Sequence, residues 1–421
     1  MRMQLKLIPF VACLFLGLVS SAQILSDTSK VHLEDVSIDF LFNYYEQDGI
    51  HSPVTGGLGT EKLNNIAPSV MVNIPIDTLR SISYSGGVDY YSSASSDNIN
   101  NPYLQADHIS SASASDFRVY SKLGFKQKNK KKKTAYTGDL GMSFEFDVAS
   151  VSVGGGFSKI SKDENKEFSL KGAYFFDNWK LIYPIEHRNG GLDYLATDKR
   201  HSFNLSMVES WVMNKKMTAS FNVDLVFQQG LLSTPFHRVY FSDYNLDQFG
   251  NQADPTASLL NSRVEQLPDF RFKVPVGFRY NFYLADFLLV KAYYRFYYDT
   301  WNVIGNTAQI ELPFILTKFL RVYPFYRYHH QSSAKYFAPF ATHQSSATYF
   351  TSDYDLSGFD SHRFGVGFKI APLFGVFNFK SKANKRANVL KSIDLRYSHY
   401  RRSDGLVANF YSIGLNYVIK R

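Results

Sequence analysis

The feature that most constrains the fold of this 421-residue chain is a repeated alternation of apolar and polar residues. Near the beginning, Val36, Ile38 and Phe40 alternate with Ser37 and Asp39. A period of two is typical of a strand with one apolar and one polar face, and it recurs about sixteen times. The predicted strands cover residues 36–44, 66–74, 82–90, 117–125, 136–146, 151–157, 168–176, 203–211, 217–227, 270–282, 290–298, 308–316, 320–328, 364–370, 393–397 and 407–419. After residue 23 no run of about 18 apolar residues occurs, which excludes transmembrane helices.

The links between these strands indicate a membrane barrel rather than a soluble sandwich. Short links, such as residues 77–80 and 214–216, tend to alternate with long ones, such as residues 229–269 and 331–360. Aromatic residues are 16% of the chain and crowd the strand ends, as expected for girdles at two lipid interfaces. We therefore predict an all-β fold, a closed antiparallel transmembrane β-barrel of about sixteen strands, with short periplasmic turns and long outer loops.

The N-terminus predicts export to the cell outer membrane. Basic residues, an apolar run over residues 7–19 and small residues at 20–22 form a secretory signal, which we expect to be cleaved before Gln23. The only cysteine, Cys13, lies within that run, so a cysteine-based disulfide or zinc scaffold is excluded. We predict a signal peptide over residues 1–22 and one barrel domain over residues 23–421.

Two segments resemble a known family. The sequences HSPVTGGLGTE at residues 51–61 and GVDYYSSASSD at residues 87–97 are similar to those of an uncharacterised family of Gram-negative barrel proteins, a domain of unknown function. The match is strongest over residues 34–120. The resemblance implies an outer-membrane β-barrel with no assigned activity, and no catalytic residue can be carried over.

If the apolar register faces lipid, the polar register faces the lumen, and its charges are candidates for the pore lining. The predicted basic lining consists of Arg271, Lys273, Arg279, Lys291, Arg295, Arg321, Arg327, Arg363, Lys369 and Arg396. The predicted acidic lining consists of Asp39, Asp89, Asp139, Glu145, Asp147, Glu167 and Asp224. Because the bases cluster in the second half of the chain, we expect a basic wall opposite a mildly acidic one, and a preference for anions. The alternative is that these groups pair with one another and only hydrate the interior.

Several loop and turn features suggest weaker hypotheses. Six lysines between residues 126 and 133 are placed at a predicted periplasmic turn, and a second basic run lies at residues 380–386. Solvated turns explain both better than lipid or protein contacts do. Gly56, Gly57 and Gly59 lack the Lys-Ser/Thr of a phosphate loop, so we expect them to let the loop fold tightly at the barrel mouth. The insertion at residues 231–266 is expected to add little packing and to be dispensable for folding.

Metal binding and hydrolysis stay open as alternatives. The histidines in or near predicted loops are His51, His108, His187, His201, His237, His329, His330 and His343. A metal site formed by His329, His330 and His343 is conceivable, although its spacing matches no ligand motif. Asp97 and Asp116 with nearby serines are candidates for calcium. A hydrolase would use Asp107 with His108, or His51 with Glu61.

The sequence favours a porin-like channel for small, anionic solutes. The alternative is a plugged barrel that acts as a binding or assembly protein at the cell surface, and an outer-membrane hydrolase ranks third. We expect no enzyme activity and no cofactor. The expected partners are outer-membrane lipid and a small solute, with a periplasmic or surface partner left open. The net charge of +9 allows nucleic acid, but a secretory signal argues against it.

Overall fold

The computed structural model describes residues 33–95, 115–184, 197–245, 262–380 and 387–421. Within these ranges the chain forms strands and three short 3-10 helices. The predicted signal peptide lies outside the described residues. The strands are β1 (Val36–Asp48), β2 (Glu61–Pro75), β3 (Arg80–Ser95), β4 (Ser115–Asn129), β5 (Thr134–Phe144), β6 (Val148–Ile160), β7 (Lys166–Lys180), β8 (Thr197–Asn214), β9 (Met217–Gly230), β10 (Arg238–Val239), β11 (Arg263–Val264), β12 (Phe270–Ala285), β13 (Leu288–Asp299), β14 (Ile304–Glu311), β15 (Phe314–Ile315), β16 (Leu320–Gln331), β17 (Phe359–Ile370), β18 (Phe377–Lys380), β19 (Ala387–Arg402) and β20 (Val407–Ile419).

The strands close into one antiparallel barrel. Each barrel strand pairs with its neighbours in sequence, and β9 pairs with β12 across the long insertion. The short strands β15 and β18 continue the lines of β14 and β17, so the barrel has sixteen strands. The first strand, β1, pairs with the last, β20, from Val36 opposite Ile419 to Asp48 opposite Val407. The predicted fold class is therefore confirmed.

The barrel exposes its apolar register. Leu140, Val151 and Phe364 are 64%, 58% and 53% exposed, although each belongs to a regular paired strand. Such a surface is unfavourable in water but favourable against lipid tails. A closed barrel also satisfies its backbone hydrogen bonds internally, which a bilayer demands. No helix within the described ranges is long and apolar enough to cross a membrane. The protein is therefore an outer-membrane barrel, as the sequence predicts.

The two ends of the barrel differ. The N-terminal and C-terminal residues of the described chain lie at one end of the barrel, where the Arg421 backbone N–H donates to Asp35 at 3.2 Å. The tight turns that follow β2 and β4 lie at the same end. The predicted lysine turn, residues 130–133, is at this end. The long connections lie at the opposite end, which we call the outer mouth because long loops are extracellular in such barrels.

Two predicted strands are wrong in their bounds. The strand predicted over residues 136–146 ends earlier, at Phe144. The prediction over residues 308–316 joins two strands that Leu312 and Pro313 separate. Proline has no N–H to donate to a neighbouring strand, so the ladder breaks there and resumes in β15. The strand instead begins at Ile304, because Gly305 and Asn306 continue the hydrogen-bonded ladder without an apolar signal.

Candidate functional site

Three loops meet at the outer mouth and define the candidate site. We call residues 49–60, the described residues 231–245 and 262–269, and residues 332–358 the first, second and third mouth loops. The Arg238 guanidinium in the second loop donates to the Val54 carbonyl in the first at 2.8 Å. The second and third loops are joined by a pair of backbone hydrogen bonds between Gln266 and Phe350. The mouth loops therefore pack against one another in one layer and do not extend separately into solvent.

Glycine allows the first mouth loop to approach the second. Gly56 and Gly57 have φ angles of +77° and +93°, which L-residues with side chains rarely adopt. A Cβ on Gly56 would lie 2.5 Å from the Tyr240 ring, closer than any real contact. The expectation that these glycines let the loop fold tightly at the mouth is confirmed.

Two small apolar clusters hold the mouth loops together. Val239, Phe241 and Phe350 are at most 1% exposed and form the first cluster. The second cluster consists of Leu267, Trp301, Val303 and Ala334. Because apolar burial is the main source of packing energy, the expectation that the insertion at residues 231–266 adds little packing is wrong for its described residues. Sequence alone does not reveal these clusters, since their members come from segments about 30 to 110 residues apart.

A cavity of about 790 Å³ lies between the mouth loops and the outer ends of several barrel strands. Strands β1 to β4 and β19 supply part of its wall, and the mouth loops supply another part. Aromatic side chains in the wall include Tyr45, Tyr91, Phe236 and Tyr400. Its carboxylates are Glu61, Asp116, Asp147, Asp353 and Asp355, and its basic groups are Arg402 and His237. The volume suits a small organic solute.

Arg402 joins the third mouth loop to the barrel wall. Its side chain is only 6% exposed and donates to Asp355 at 2.6 Å, to Asp404 at 2.5 Å and to the Tyr354 carbonyl at 2.7 Å. Its guanidinium also stacks 4.0 Å from the centre of the Phe359 ring. Two carboxylates thus neutralise this arginine, and the other acids leave the cavity with a negative balance.

Burial changes the pKa of two carboxyl groups that line the cavity, those of Asp147 and Asp353. Burial raises the pKa of Asp147 above its ordinary value. Burial likewise raises the pKa of Asp353, an effect that nearby His237 opposes. Both shifts mean that the folded mouth disfavours further negative charge at these positions. A cation held beside them would remove that cost.

The predicted basic residues share one face of the sheet. The side chains of residues that are directly opposite each other in antiparallel strands point to the same side of the sheet. Arg327 is opposite Arg363, and Arg363 is opposite Tyr400, which lines the cavity. Strand alternation places the other eight on this face as well. The geometry therefore turns them away from the lipid-facing register, while their role in lining a pore stays a prediction.

Part of this basic set is already paired. Arg271 donates to Asp299 at 2.5 Å, and Lys291 lies 2.9 Å and Arg396 3.4 Å from the two oxygens of Glu311. Three more of the bases stack on aromatic rings instead: Arg279 on Tyr293, Arg295 on Tyr297, and Arg363 on Phe410. Lys273, Arg321, Arg327 and Lys369 form no ion pair with the residues that the structure describes. The alternative of internal pairing thus applies to only part of the basic wall.

The predicted acidic residues are spread over the first half of the barrel. Asp139 is held by Lys122 at 2.6 Å and Lys171 at 3.1 Å. The remaining strand acids and their contacts are Asp39 with Asn416 at 2.6 Å, Asp89 with Arg118 at 3.9 Å, Asp224 with Asn222 at 3.4 Å, and Glu167 opposite Ile160. Glu145 and Asp147 do not lie on a strand, because β5 ends at Phe144 and both occupy the turn to β6.

The hypothesis of a metal site formed by His329, His330 and His343 is wrong. His329 and His330 are consecutive in β16 and point to opposite faces, where His329 contacts Thr307 and His330 contacts Asp360. Over the described ranges one cluster has metal-ligand character, and it consists of His237, Glu265 and Asp353. The sequence flags the histidine but not the two carboxylates, which the loop fold brings to it.

The structure does not pair His51 with Glu61 as a hydrolase would. The His51 ring stacks on Tyr354 with centroids 3.7 Å apart, and its Nδ1 lies 2.9 Å from the Gly57 carbonyl. Asp97, Asp107, His108 and His187 lie outside the described residues, as does most of the second basic run. Asp116 is described, and its carboxylate accepts a hydrogen bond from Tyr91 at 3.4 Å.

Comparisons with known proteins identify a family and several structural neighbours. The family model "Protein of unknown function (DUF3570)" matches residues 5–375. No curated protein matches the chain in sequence. Similar solved structures include Pseudomonas aeruginosa OccK1 (OpdK), with 9% identity, a TM-score of 0.38 and coverage of 92% of this chain and 99% of that one. A BenF-like porin from Pseudomonas fluorescens Pf-5 has 7% identity, a TM-score of 0.40 and coverage of 93% and 100%. A bacterial polysaccharide outer membrane secretin has 9% identity, a TM-score of 0.45 and coverage of 93% and 100%.

Proposed function

Because this chain belongs to the family described as a protein of unknown function (DUF3570), its activity has to be argued from its own residues, and we propose that it is a solute channel. In this proposal small anionic solutes pass through the barrel, and the mouth loops narrow the outer entrance. A sixteen-stranded barrel is wide enough to leave an aqueous lumen.

The unbalanced charge of one arc of the wall carries the proposal. Strands β12 to β19 hold the ten predicted bases on the polar register, and Arg402 as an eleventh, against three acids, Asp299, Glu311 and Asp394. The members without an ion pair include Arg321 of β16 and Lys369 of β17, which lie directly opposite each other, so their potentials add across neighbouring strands. In a lumen with walls of low dielectric constant, such an arc concentrates anions and repels cations.

The acidic mouth cavity belongs to the same proposal. It contacts the outer ends of β1 to β4 and β19, whereas the basic arc extends along β12 to β19 toward the other end. A solute entering from outside would meet the mouth loops first and the arginines next. Size exclusion at the entrance and charge selection along the wall would then act in series.

The single-channel conductance of the purified full-length protein in planar bilayers tests the proposal. Stable, stepwise currents support a channel. A barrel that is folded, as judged by its heat-modifiable migration on gels, but passes no current contradicts the proposal.

The packing of the mouth loops favours a second candidate. Val239, Phe241 and Phe350 form an almost completely buried cluster, as expected if the loops close the barrel and present a binding surface. A folded barrel without conductance would support this plugged binding protein. Turnover of lipid, peptide or glycan substrates in a hydrolase screen would contradict both candidates.

A further inference from the structure

The three residues of the His237 cluster come from two mouth loops. In the second loop, β10 pairs with β11, so that the residues flanking this small ladder are adjacent: the Glu265 N–H donates to the His237 carbonyl at 2.9 Å. In the third loop, Asp353 caps a short 3-10 helix at residues 354–356. The backbone bridge between Gln266 and Phe350 brings the two loops together beside these residues.

The donor atoms of the cluster converge on one point. His237 Nδ1 lies 3.6 Å from Glu265 Oε2 and 4.0 Å from Asp353 Oδ2, and the ligand atoms of all three residues are within 4.8 Å of one another. Zinc bonds of about 2.0–2.1 Å in a tetrahedral arrangement place donors roughly 3.3 Å apart. The three donors therefore need to close by at most about 1.5 Å to share one ion.

His237 Nδ1 has no hydrogen-bond partner in the structure. The residue is 9% exposed, and this nitrogen is shielded from solvent. A buried polar atom without a partner costs free energy, so such atoms are rare in folded proteins. A bound cation would satisfy this nitrogen at the point where two carboxylate oxygens also converge.

Neighbouring groups hold the carboxylates in position. Glu265 accepts a hydrogen bond from the Thr234 N–H at 2.7 Å through Oε1 and one from the Thr351 hydroxyl at 2.5 Å through Oε2. Asp353 accepts from the Asp355 N–H at 2.9 Å through Oδ1, which leaves Oδ2 directed at His237. Outer hydrogen bonds of this kind orient metal ligands.

We propose that His237, Glu265 and Asp353 form a divalent transition-metal site that joins the two mouth loops. One imidazole nitrogen with two carboxylates suits Zn²⁺, whereas Mg²⁺ and Ca²⁺ prefer oxygen donors alone. Three protein ligands leave an open coordination position. Since His237 and Asp353 both line the mouth cavity, that position faces the cavity, where water or an anionic solute group can occupy it. The bound ion also offsets the negative balance of the cavity carboxylates.

The rival account is a protonated His237 that forms ion pairs with both carboxylates and binds no metal. It explains the cluster by charge alone. The two accounts differ in a direct observable: the ion-paired histidine predicts no Zn²⁺ bound at this cluster, whereas the metal site predicts one bound ion.

Isothermal titration of the full-length, chelator-treated barrel in detergent with zinc chloride tests the proposal. We expect one Zn²⁺ per chain, and a loss of affinity of about 100-fold or more in His237→Ala, since even outer partners of metal ligands are worth roughly 10–100-fold. Glu265→Gln keeps the shape of the side chain and should also weaken Zn²⁺ binding. This variant replaces His237→Ala in the test if His237→Ala fails to fold.

The matched control is His330→Ala, which removes an exposed histidine paired with Asp360 on a strand. It should bind Zn²⁺ like the unmodified protein. Absence of binding at a ratio of one per chain, or equal affinity in the unmodified protein and in both His237→Ala and Glu265→Gln, would overturn the proposal. This outcome is independent of conductance, so the metal site and the channel proposal can fail separately.

Discussion

At the scale of single residues, Asp299 shows how a charge is accommodated at the end of a barrel strand. The carboxylate has no exposure to solvent and accepts hydrogen bonds from Arg271, from the Tyr297 hydroxyl at 2.7 Å and from the Trp301 and Val303 N–H groups at 2.9 and 3.1 Å. The Arg271 guanidinium also lies 4.1 Å from the centre of the Trp301 ring. A buried pair of this kind is costly to break because the remaining charge loses its partner.

We expect Asp299→Ala to lower the free energy of unfolding by about 3–5 kcal/mol, the usual cost of removing one member of a buried ion pair. Denaturant unfolding of the barrel in lipid vesicles, followed by tryptophan fluorescence, measures the change. The control is Asp39→Ala, whose exposed carboxylate loses only the contact with Asn416. Equal stability of the two variants would show that the Arg271 pair does not stabilise the strand end.

Gly56 provides a second test at this scale. Gly56→Ala forces a side chain into a left-handed conformation, which costs roughly 1–2 kcal/mol, and also pushes on the Tyr240 ring. We expect the mouth loops to loosen and become more sensitive to protease while the barrel stays folded. Gly138→Ala is the control, because a Cβ there meets no atom within 4 Å. Unchanged protease sensitivity in Gly56→Ala would contradict the close approach of the two loops.

At the scale of elements, the sequence predicts the barrel strands well and the mouth poorly. A strand such as β20 is evident because lipid and lumen impose opposite polarity on alternate residues, as at Ile413 and Ser412. Neither β10 nor β11 is evident, since a two-residue ladder carries no period. The donors of the His237 cluster are likewise hidden, because loop packing rather than sequence spacing brings them together.

The insertion between β9 and β12 gives a prediction for a whole element. Gly230 and Asp269 are already joined by a backbone hydrogen bond of 2.8 Å, so a tight turn can replace residues 231–268 without disturbing the pairing of Gln229 with Phe270. We expect the shortened barrel to assemble, because the ladder does not depend on the insertion. We also expect its conductance to rise, because the Val239 cluster no longer holds the mouth loops together.

The measurements are heat-modifiable gel migration and single-channel conductance. Loss of assembled barrel would show that loop packing is needed for folding. Assembly with unchanged conductance would show that the insertion does not narrow the entrance.

At the scale of the whole molecule, the N-terminal signal remains a prediction. We expect signal peptidase to remove residues 1–22, because the small residues at positions 20–22 follow an apolar run of suitable length. N-terminal sequencing of the protein from isolated outer membranes should begin at Gln23. A mature chain that retains residues 1–22 would contradict the prediction.

The central claim for the whole molecule is that the basic arc selects anions in an open lumen. Screening limits this effect, because the Debye length falls from about 10 Å at 0.1 M salt to about 3 Å at 1 M. The preference for anions should therefore weaken as the salt concentration rises.

The triple variant Arg295→Glu, Arg321→Glu, Arg327→Glu reverses three charges of the arc. None of these arginines belongs to an ion pair with the described residues.

The matched control reverses the same number of charges outside the barrel wall. Lys130, Lys131 and Lys132 lie in the exposed turn between β4 and β5, so their change to Glu alters net charge equally without touching the arc. An effect of net charge alone would appear in both variants. An effect of the wall would appear only in the arginine variant.

The reversal potential of single channels under a potassium chloride gradient tests the central claim most directly. We predict an anion-selective reversal potential for the unmodified protein and for the lysine control, and a loss or reversal of selectivity in the arginine variant. Cation selectivity of the unmodified protein, or an arginine variant with the same reversal potential, would contradict the claim.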